Sequence, residues 1–338
     1  MVKKRMNLTN LKNNFIVLFL VNLGCLSYAM PHPSDLSNFA KKNALTLSQQ
    51  GKVITLRNSS HNFKFTSDSK EAVLDGTKLF LTYKIESAKR KNTKALNKKT
   101  RSSWLKNTKE SYIISQVDVQ KILRPLLFPK SFLKRTGKVI VIDPGHGGKS
   151  EGAKNKSLQL IEKNLTLQTA KLLAQKLKEK GYFVYLTREK DTNISLEKRT
   201  EFANNKKADL FISIHYNSAA SKLANGLETF IYSFANHPST DHNTTIKTDN
   251  IISPINKFDE ANTFLAWNIQ NQLRLQLPLQ DRGIRHGRMA VLKGLNCPGI
   301  LIECGFINNH EEAHTIKKNS YQEKLVSSIC KGIHNYYL

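Results

Sequence analysis

The chain is short of cysteine, of acidic residues and of long apolar runs, and each shortage removes a class of protein. Only four of its 338 residues are cysteine. Cys25 falls in an N-terminal leader, and Cys297, Cys304 and Cys330 contain no Cys-x-x-Cys spacing. An odd number so spaced argues against a disulfide framework and a thiolate zinc site, and leaves these side chains as small buried hydrophobes. The apolar run from Phe15 to Leu26 is too short to cross a bilayer as a helix. Asp and Glu total 26 against 53 Lys and Arg, giving a formal charge of +27 and a pI near 9.9. Such an excess attracts polyanions: nucleic acid, an anionic lipid surface or an acidic wall polymer.

Lys3, Lys4, Arg5 and Lys12 precede the short apolar run, and Ser27-Tyr28-Ala29 places small residues after it. This pattern predicts a signal peptide over 1–29 and an exported protein, periplasmic or cell-wall associated, so nucleic acid is not expected as a partner. Gly24-Cys25 offers lipoprotein anchoring as the alternative, although Asn22 and Leu23 fit that pattern poorly.

With 39% hydrophobic residues, the rest of the chain supports packed cores, one large and one smaller. Residues 30–130 predict a small α+β domain. Its elements are a helix from Ser34 to Lys42, strands at Lys52–Leu56 and Phe63–Phe65, a turn at Asp75-Gly76 before Lys78–Tyr83, and a helix from Val117 to Leu127. A basic insert at 84–110, with Lys89-Arg90-Lys91 and Lys98-Lys99-Thr100-Arg101, reads as a solvated segment. Its alternative reading is an electrostatic tether to an anionic wall or membrane surface. This layout resembles the small domain at the N-terminus of copper amine oxidases, without copper ligands. The resemblance implies a positioning or binding module, with a folding spacer as the alternative.

Pro125 and Pro129 lead into a linker at 131–137, after which strands and helices alternate regularly through 138–338. Strands are predicted at Val139–Asp143, Phe183–Thr187, Ala208–His215, Glu228–Tyr232, Met289–Leu292 and Gly299–Cys304. Helices are predicted at Ile161–Lys180, Leu196–Asn204, Asn262–Leu275 and Tyr321–Tyr337. The fold class is therefore α/β: a mixed, largely parallel sheet covered by helices on both faces. No repeat of fixed period is present.

Four titratable residues stand where such folds build sites. Val139–Ile142 runs into Asp143-Pro144-Gly145-His146-Gly147-Gly148, Glu162 opens a helix, Leu210–Ile214 delivers His215, and Gly299–Ile302 delivers Glu303. His146, Glu162 and His215 make a three-ligand set of the kind that holds one hydrolytic zinc ion with a position left for water. Glu303 is then the candidate general base and acid. Each has an ordinary reading too: a loop histidine, a carboxylate at a helix start, a histidine bonded to Asn217 and a paired buried acid. Their joint occurrence favours the site.

Val141–Gly148, Glu162-Lys163-Asn164, Leu186-Thr187-Arg188, Ala208–Asn217 and Ile302–Asn309 together resemble the zinc-dependent N-acetylmuramoyl-L-alanine amidases of the Amidase_3 family. The resemblance implies His146, Glu162 and His215 as zinc ligands and Glu303 as the catalytic glutamate. It implies hydrolysis of the amide between N-acetylmuramic acid and the L-alanine of peptidoglycan stem peptides, in wall remodelling or daughter-cell separation. Departures are Ser150 in place of an aspartate, Tyr216 in place of a small residue, and Cys304. Asn217, Tyr216, Arg282 and Arg285 are candidate substrate contacts, Arg282 and Arg285 belonging to a basic group with His286 and Arg288. The polar stretch between Ser233 and Ala261 is a candidate lid, and in some relatives such a segment answers to a protein activator.

Two rivals remain. Gly148-Lys149-Ser150 after a strand imitates the end of a phosphate-binding loop, but Asp143 stands where that loop needs glycine. A noncatalytic peptidoglycan-binding or activator protein on an amidase scaffold is the other, opposed by the four intact positions.

Overall fold

The computed structural model describes residues 32–87, 111–131, 137–240 and 251–338. The leader with Cys25, most of the basic insert, most of the linker and part of the candidate lid lie outside the described residues. No described helix is long and apolar enough to cross a membrane.

Alternation of period two builds the first sheet. Strands β2 (Thr46–Gln50), β3 (Val53–Arg57), β4 (Asn62–Thr66), β5 (Glu71–Leu74) and β6 (Thr77–Phe80) form an antiparallel meander. Ile54, Leu56, Phe63, Phe65, Ala72 and Leu74 all turn to one buried side. Asp75 and Gly76 join β5 to β6 at φ of 52° and 88°, the left-handed pair that a two-residue hairpin requires. A second sheet of β1 (Pro33–Asp35), β7 (Glu86–Ser87) and β8 (Tyr112–Ser115), the helix Leu36–Lys42 and a helical run over 116–127 close this core. That run is α-helical at each end with a π turn over Val119–Leu123 between.

Buried at the start of this run, Asp118 accepts hydrogen bonds from the backbone N–H of Thr82 at 2.8 Å and of Tyr83 at 3.3 Å. Burial outweighs both bonds and pushes its carboxyl from 3.8 up to about 6. The folded pKa lies above the unfolded one, so this group's contribution to stability is complete below about 3.8 and is lost as pH rises through about 6. The loss amounts to about 3 kcal/mol. Urea unfolding of Asp118→Asn beside the wild type, at pH 4 and pH 7, should show the variant gaining stability relative to the wild type by that order.

The second half folds around β9 (Val139–Pro144), β12 (Phe183–Leu186), β13 (Leu210–Asn217) and β16 (Gly299–Phe306), all parallel, with β14 (Leu227–Tyr232) antiparallel to β16 and β15 (Asp281–Gly287) parallel to β14. A short hairpin of β10 (Lys154–Asn155) and β11 (Leu160–Ile161) lies apart. On one face Ile140, Ile142, Ile212, Ile214, Ile300 and Ile302 meet the helices Glu162–Glu179, Asp259–Gln276 and Asn319–Tyr337 in one core. On the other, Val141, Phe211, Phe230 and Leu301 meet the helices Leu196–Asn205 and Ala290–Lys293. The sheet is mixed, largely parallel around its centre, and covered on both faces, as the sequence predicts. Cys297, Cys304 and Cys330 are buried free thiols.

Two features differ from expectation. Residues 290–293 are helical, and the fifth strand of this half is instead Asp281–Gly287. An apolar run as short as Met289–Leu292 carries no usable period, whereas the true strand hides its alternation behind Arg282, Arg285 and His286. The meander is also not a separate sheet. Leu79 on β6 pairs in parallel with Ile284 on β15, making one sheet of eleven strands.

Candidate active site

The loop after β9 is held from below. Asp143, fully buried, ion-pairs with Arg199 at 2.7 Å and accepts hydrogen bonds from the hydroxyls of Thr187 at 2.6 Å and Ser213 at 2.9 Å. Arg199 also donates to the carbonyls of Pro144 at 2.8 Å and His146 at 2.7 Å. Arg188 donates to the carbonyls of Pro144, Gly145 and Lys163. So restrained, His146 adopts a φ of 61°, a left-handed conformation uncommon outside glycine and typical of functional sites. The same contacts remove the nucleotide reading. The Asp143 carboxylate is fully engaged, and the chain after Ser150 enters β10 rather than a helix whose N-terminus would face phosphate.

Three side chains from three elements converge here. Glu162, at the first turn of its helix, lies 3.2 Å from His146 Nε2 through Oε2 and 3.0 Å from His215 Nδ1 through Oε1. One ligand atom from each residue falls within 4.8 Å of the others, making the one group of three or more such side chains among the described residues. Ser150 Oγ, 2.9 Å from His146 Nδ1, orients that ring from behind, so the departure from aspartate keeps a hydrogen-bonding group there. Glycine makes the room. A Cβ on Gly145 would lie 2.3 Å from His215 Cε1, and one on Gly152 would lie 2.5 Å from Glu162 Oε2. Burial pushes the Glu162 carboxyl up, but the hydrogen bonds and charge of His146 and His215 outweigh it and hold the group well below the usual carboxylate range.

Register places Glu303 beside this cluster. It stands opposite His215 on β13 and opposite Glu228 on β14, so the three side chains share one face of the sheet. Glu303 Oε2 is shut off from solvent with no hydrogen-bond partner among the described residues. Burial, then the charges of Glu162 and Glu228, push its carboxyl well up.

Of the sequence-predicted substrate contacts, three gather around a residue the sequence reading overlooked. Glu228, buried, is ion-paired with Arg282 and with Arg285 and accepts a hydrogen bond from Asn217 Nδ2 at 3.1 Å. Its signal is a lone acid near the start of an otherwise apolar strand, whereas Glu303 follows the end of an apolar run. Tyr216 is a correction. Its ring is buried on the opposite face, and its hydroxyl meets Thr169 at 2.8 Å and Gln322, so it packs the core rather than the cleft. Period-two alternation after His215 demands this. His286 is buried too, and burial pushes its pKa down to about 3, which leaves it neutral and unable to pair with a carboxylate at neutral pH. Arg288 spends its guanidinium on the carbonyls of Ser233, Phe234 and His237. His310 and His314, one turn apart with ring centroids at 4.8 Å, imitate a metal-binding pair, but no third ligand joins them among the described residues.

The family model for N-acetylmuramoyl-L-alanine amidase matches residues 140–335. The chain belongs to this family. The germination-specific N-acetylmuramoyl-L-alanine amidase of Bacillus subtilis is 34% identical over 221 residues, covering 61% of this chain and 82% of that protein. The probable cell wall amidase LytH of Staphylococcus epidermidis is 31% identical over 202 residues, covering 60% of this chain and 59% of its own. A crystal structure of an N-acetylmuramoyl-L-alanine amidase from Clostridium difficile 630 is 34% identical, covers 59% of this chain and 96% of its own, and superposes with a TM-score of 0.49. The amidase is thus a hydrolase whose substrate is peptidoglycan, and its relatives are cell-wall enzymes. Residues before 140 lie outside the family match.

Proposed function

We propose that His146, Glu162 and His215 hold one zinc ion and that Glu303 is the proton-transfer group of this amidase. The donor set fits the metal. Two imidazoles and a carboxylate are a common catalytic zinc set, and their ligand atoms already lie within 4.8 Å of one another. The unpartnered Glu303 oxygen also fits a site completed by a cation and a water molecule. When bound, zinc supplies a Lewis acid that polarises the scissile carbonyl and lowers the pKa of a water molecule to about 7. Glu303 takes the proton of the attacking water and returns it to the departing L-alanine amine, on the face shared by β13, β16 and β14. Ser150 fixes the His146 imidazole, and the buried Asp143–Arg199 pair fixes the loop that carries His146. The observation that carries this reading is the convergence of the three donors next to Glu303.

Two outcomes follow. Gly145→Ala puts a methyl group against the His215 ring, and zinc affinity measured by competitive chelation should drop by about 10- to 100-fold in a folded protein. Purified peptidoglycan incubated with the enzyme should release free stem peptides beside intact glycan by mass spectrometry, and a chelator should stop the release. Glycan fragments or cleavage within the stem would refute the assigned bond.

Within the same reading the enzyme is exported, acts in the periplasm or wall, and serves remodelling or daughter-cell separation. Residues 30–130 act as a positioning module preceding the catalytic domain from 138, and the basic insert leans on an anionic wall or membrane surface. A protein activator acting through the segment after Ser233 belongs to this proposal. Unchanged basal activity on trimming 241–250 would count against it.

A further inference from the structure

A single face of the long sheet carries a row of side chains from the metal-ligand cluster to the N-terminal meander. His215, Glu303 and Glu228 lie side by side on β13, β16 and β14. Arg285 follows on β15, opposite Phe230, which shares the face of Glu228. Phe80 ends β6 on the same side, next to Leu79, whose partner is Ile284. Neighbouring strands stand about 4.8 Å apart, so Glu228 lies about 10 Å from His215 along the row.

Each guanidinium in this row is gripped on two sides. Arg282 meets Glu228 through Nε and lies over the Phe306 ring with its centroid 5.0 Å away. Arg285 meets the same carboxylate oxygen at 3.2 Å and lies 4.7 Å over the ring of Phe80. Both side chains nevertheless stay part exposed, at 29% and 18%. Planar forks held this way suit a carboxylate, and aromatic backing fixes their planes before a ligand arrives.

The meander is fitted to this place. Gly283 has a φ of 86°, and a Cβ there would come within 2.7 Å of the Lys78 carbonyl, so glycine is what lets β6 approach β15. Lys78 N–H donates to Asp281 at 2.9 Å, Thr77 donates to Asn271 at 2.9 Å, and Arg274 donates to the Asp75 carbonyl at 3.2 Å.

Resting on the amidase reading of the adjoining site, we infer that Arg282 and Arg285 bind a free carboxylate of the stem peptide beyond the scissile amide, with Phe80 of the N-terminal meander as a positioning residue. Two or three extended residues span about 7–11 Å, which matches the distance along the row. The N-terminal module thereby becomes one wall of the substrate site.

The test compares two soluble ligands on the full chain: muramoyl-L-alanyl-D-glutamate with its γ-carboxyl blocked as an amide and its α-carboxylate free, and the same compound with both carboxyls amidated. Arg282→Gln and Arg285→Gln should each raise KM for the acidic compound by about 10-fold or more, with kcat held and the amidated compound little affected. Phe80→Leu should raise the same KM by about 2- to 5-fold. Calorimetric binding to the Glu303→Gln protein reads the same preference without turnover, so an absence of hydrolysis sinks the amidase reading while the carboxylate site is still scored. Equal affinity of that protein for the acidic and amidated compounds, or equal losses for both in the arginine variants, would overturn the inference. Thermal unfolding at the wild-type temperature confirms that each variant scored is folded.

Discussion

Glu303→Gln is expected to lower the turnover of muramoyl-peptide by about a hundred- to ten-thousandfold while leaving zinc content unchanged. The substitution keeps the shape of the side chain and removes its ability to take a proton. Glu303 is opposite His215 but outside the three-residue ligand set, so the metal site survives its loss. One oxygen of the carboxyl is shut off from solvent, and burial with the neighbouring charges of Glu162 and Glu228 holds the group well up. A divalent cation beside Glu162 opposes the like-charge part of that shift. Steady-state rates together with metal analysis check the prediction. Loss of metal in this variant would make Glu303 a ligand, and full activity would remove it from the mechanism.

The second large effect is on stability. Asp143→Ala should destabilise the folded protein by about 3–5 kcal/mol, because it leaves the buried Arg199 guanidinium without its counter-charge. That is a large fraction of the 5–15 kcal/mol by which domains are ordinarily stable. Asp143 also anchors Thr187 and Ser213, and Arg199 holds the His146 carbonyl, so the damage reaches the loop. Urea unfolding should show a lower midpoint, and zinc affinity should fall in the fraction that remains folded. A midpoint equal to that of the wild type would mean that the pair contributes no net stability.

Much of the catalytic half was legible in the sequence, because buried parallel strands are continuous apolar runs and a polar residue ending such a run lies at the rim of the sheet. Val139–Ile142, Leu210–Ile214 and Gly299–Ile302 are read in this way, and with them His146, His215 and Glu303. Glu162 followed from the start of a long amphipathic pattern. What escaped has physical reasons. Strand β15 carries arginines whose partner, Glu228, lies on the neighbouring strand β14 but 54 residues before Arg282 in sequence, so its burial is invisible locally. Adjacency to His215 suggests the cleft for Tyr216, but alternation sends neighbours in a strand to opposite faces. The join between β6 and β15 has one ladder pair, the Lys78–Asp281 bond and the space over Gly283, none of which leaves a periodic trace.

Zinc-soaked crystals of the full chain, measured at the zinc absorption edge, test the central claim most directly. The account predicts one strong anomalous peak at the catalytic site, flanked by His146, Glu162 and His215, with Glu303 nearby but not bonded to the ion. No peak there, or one held by other residues, would contradict it.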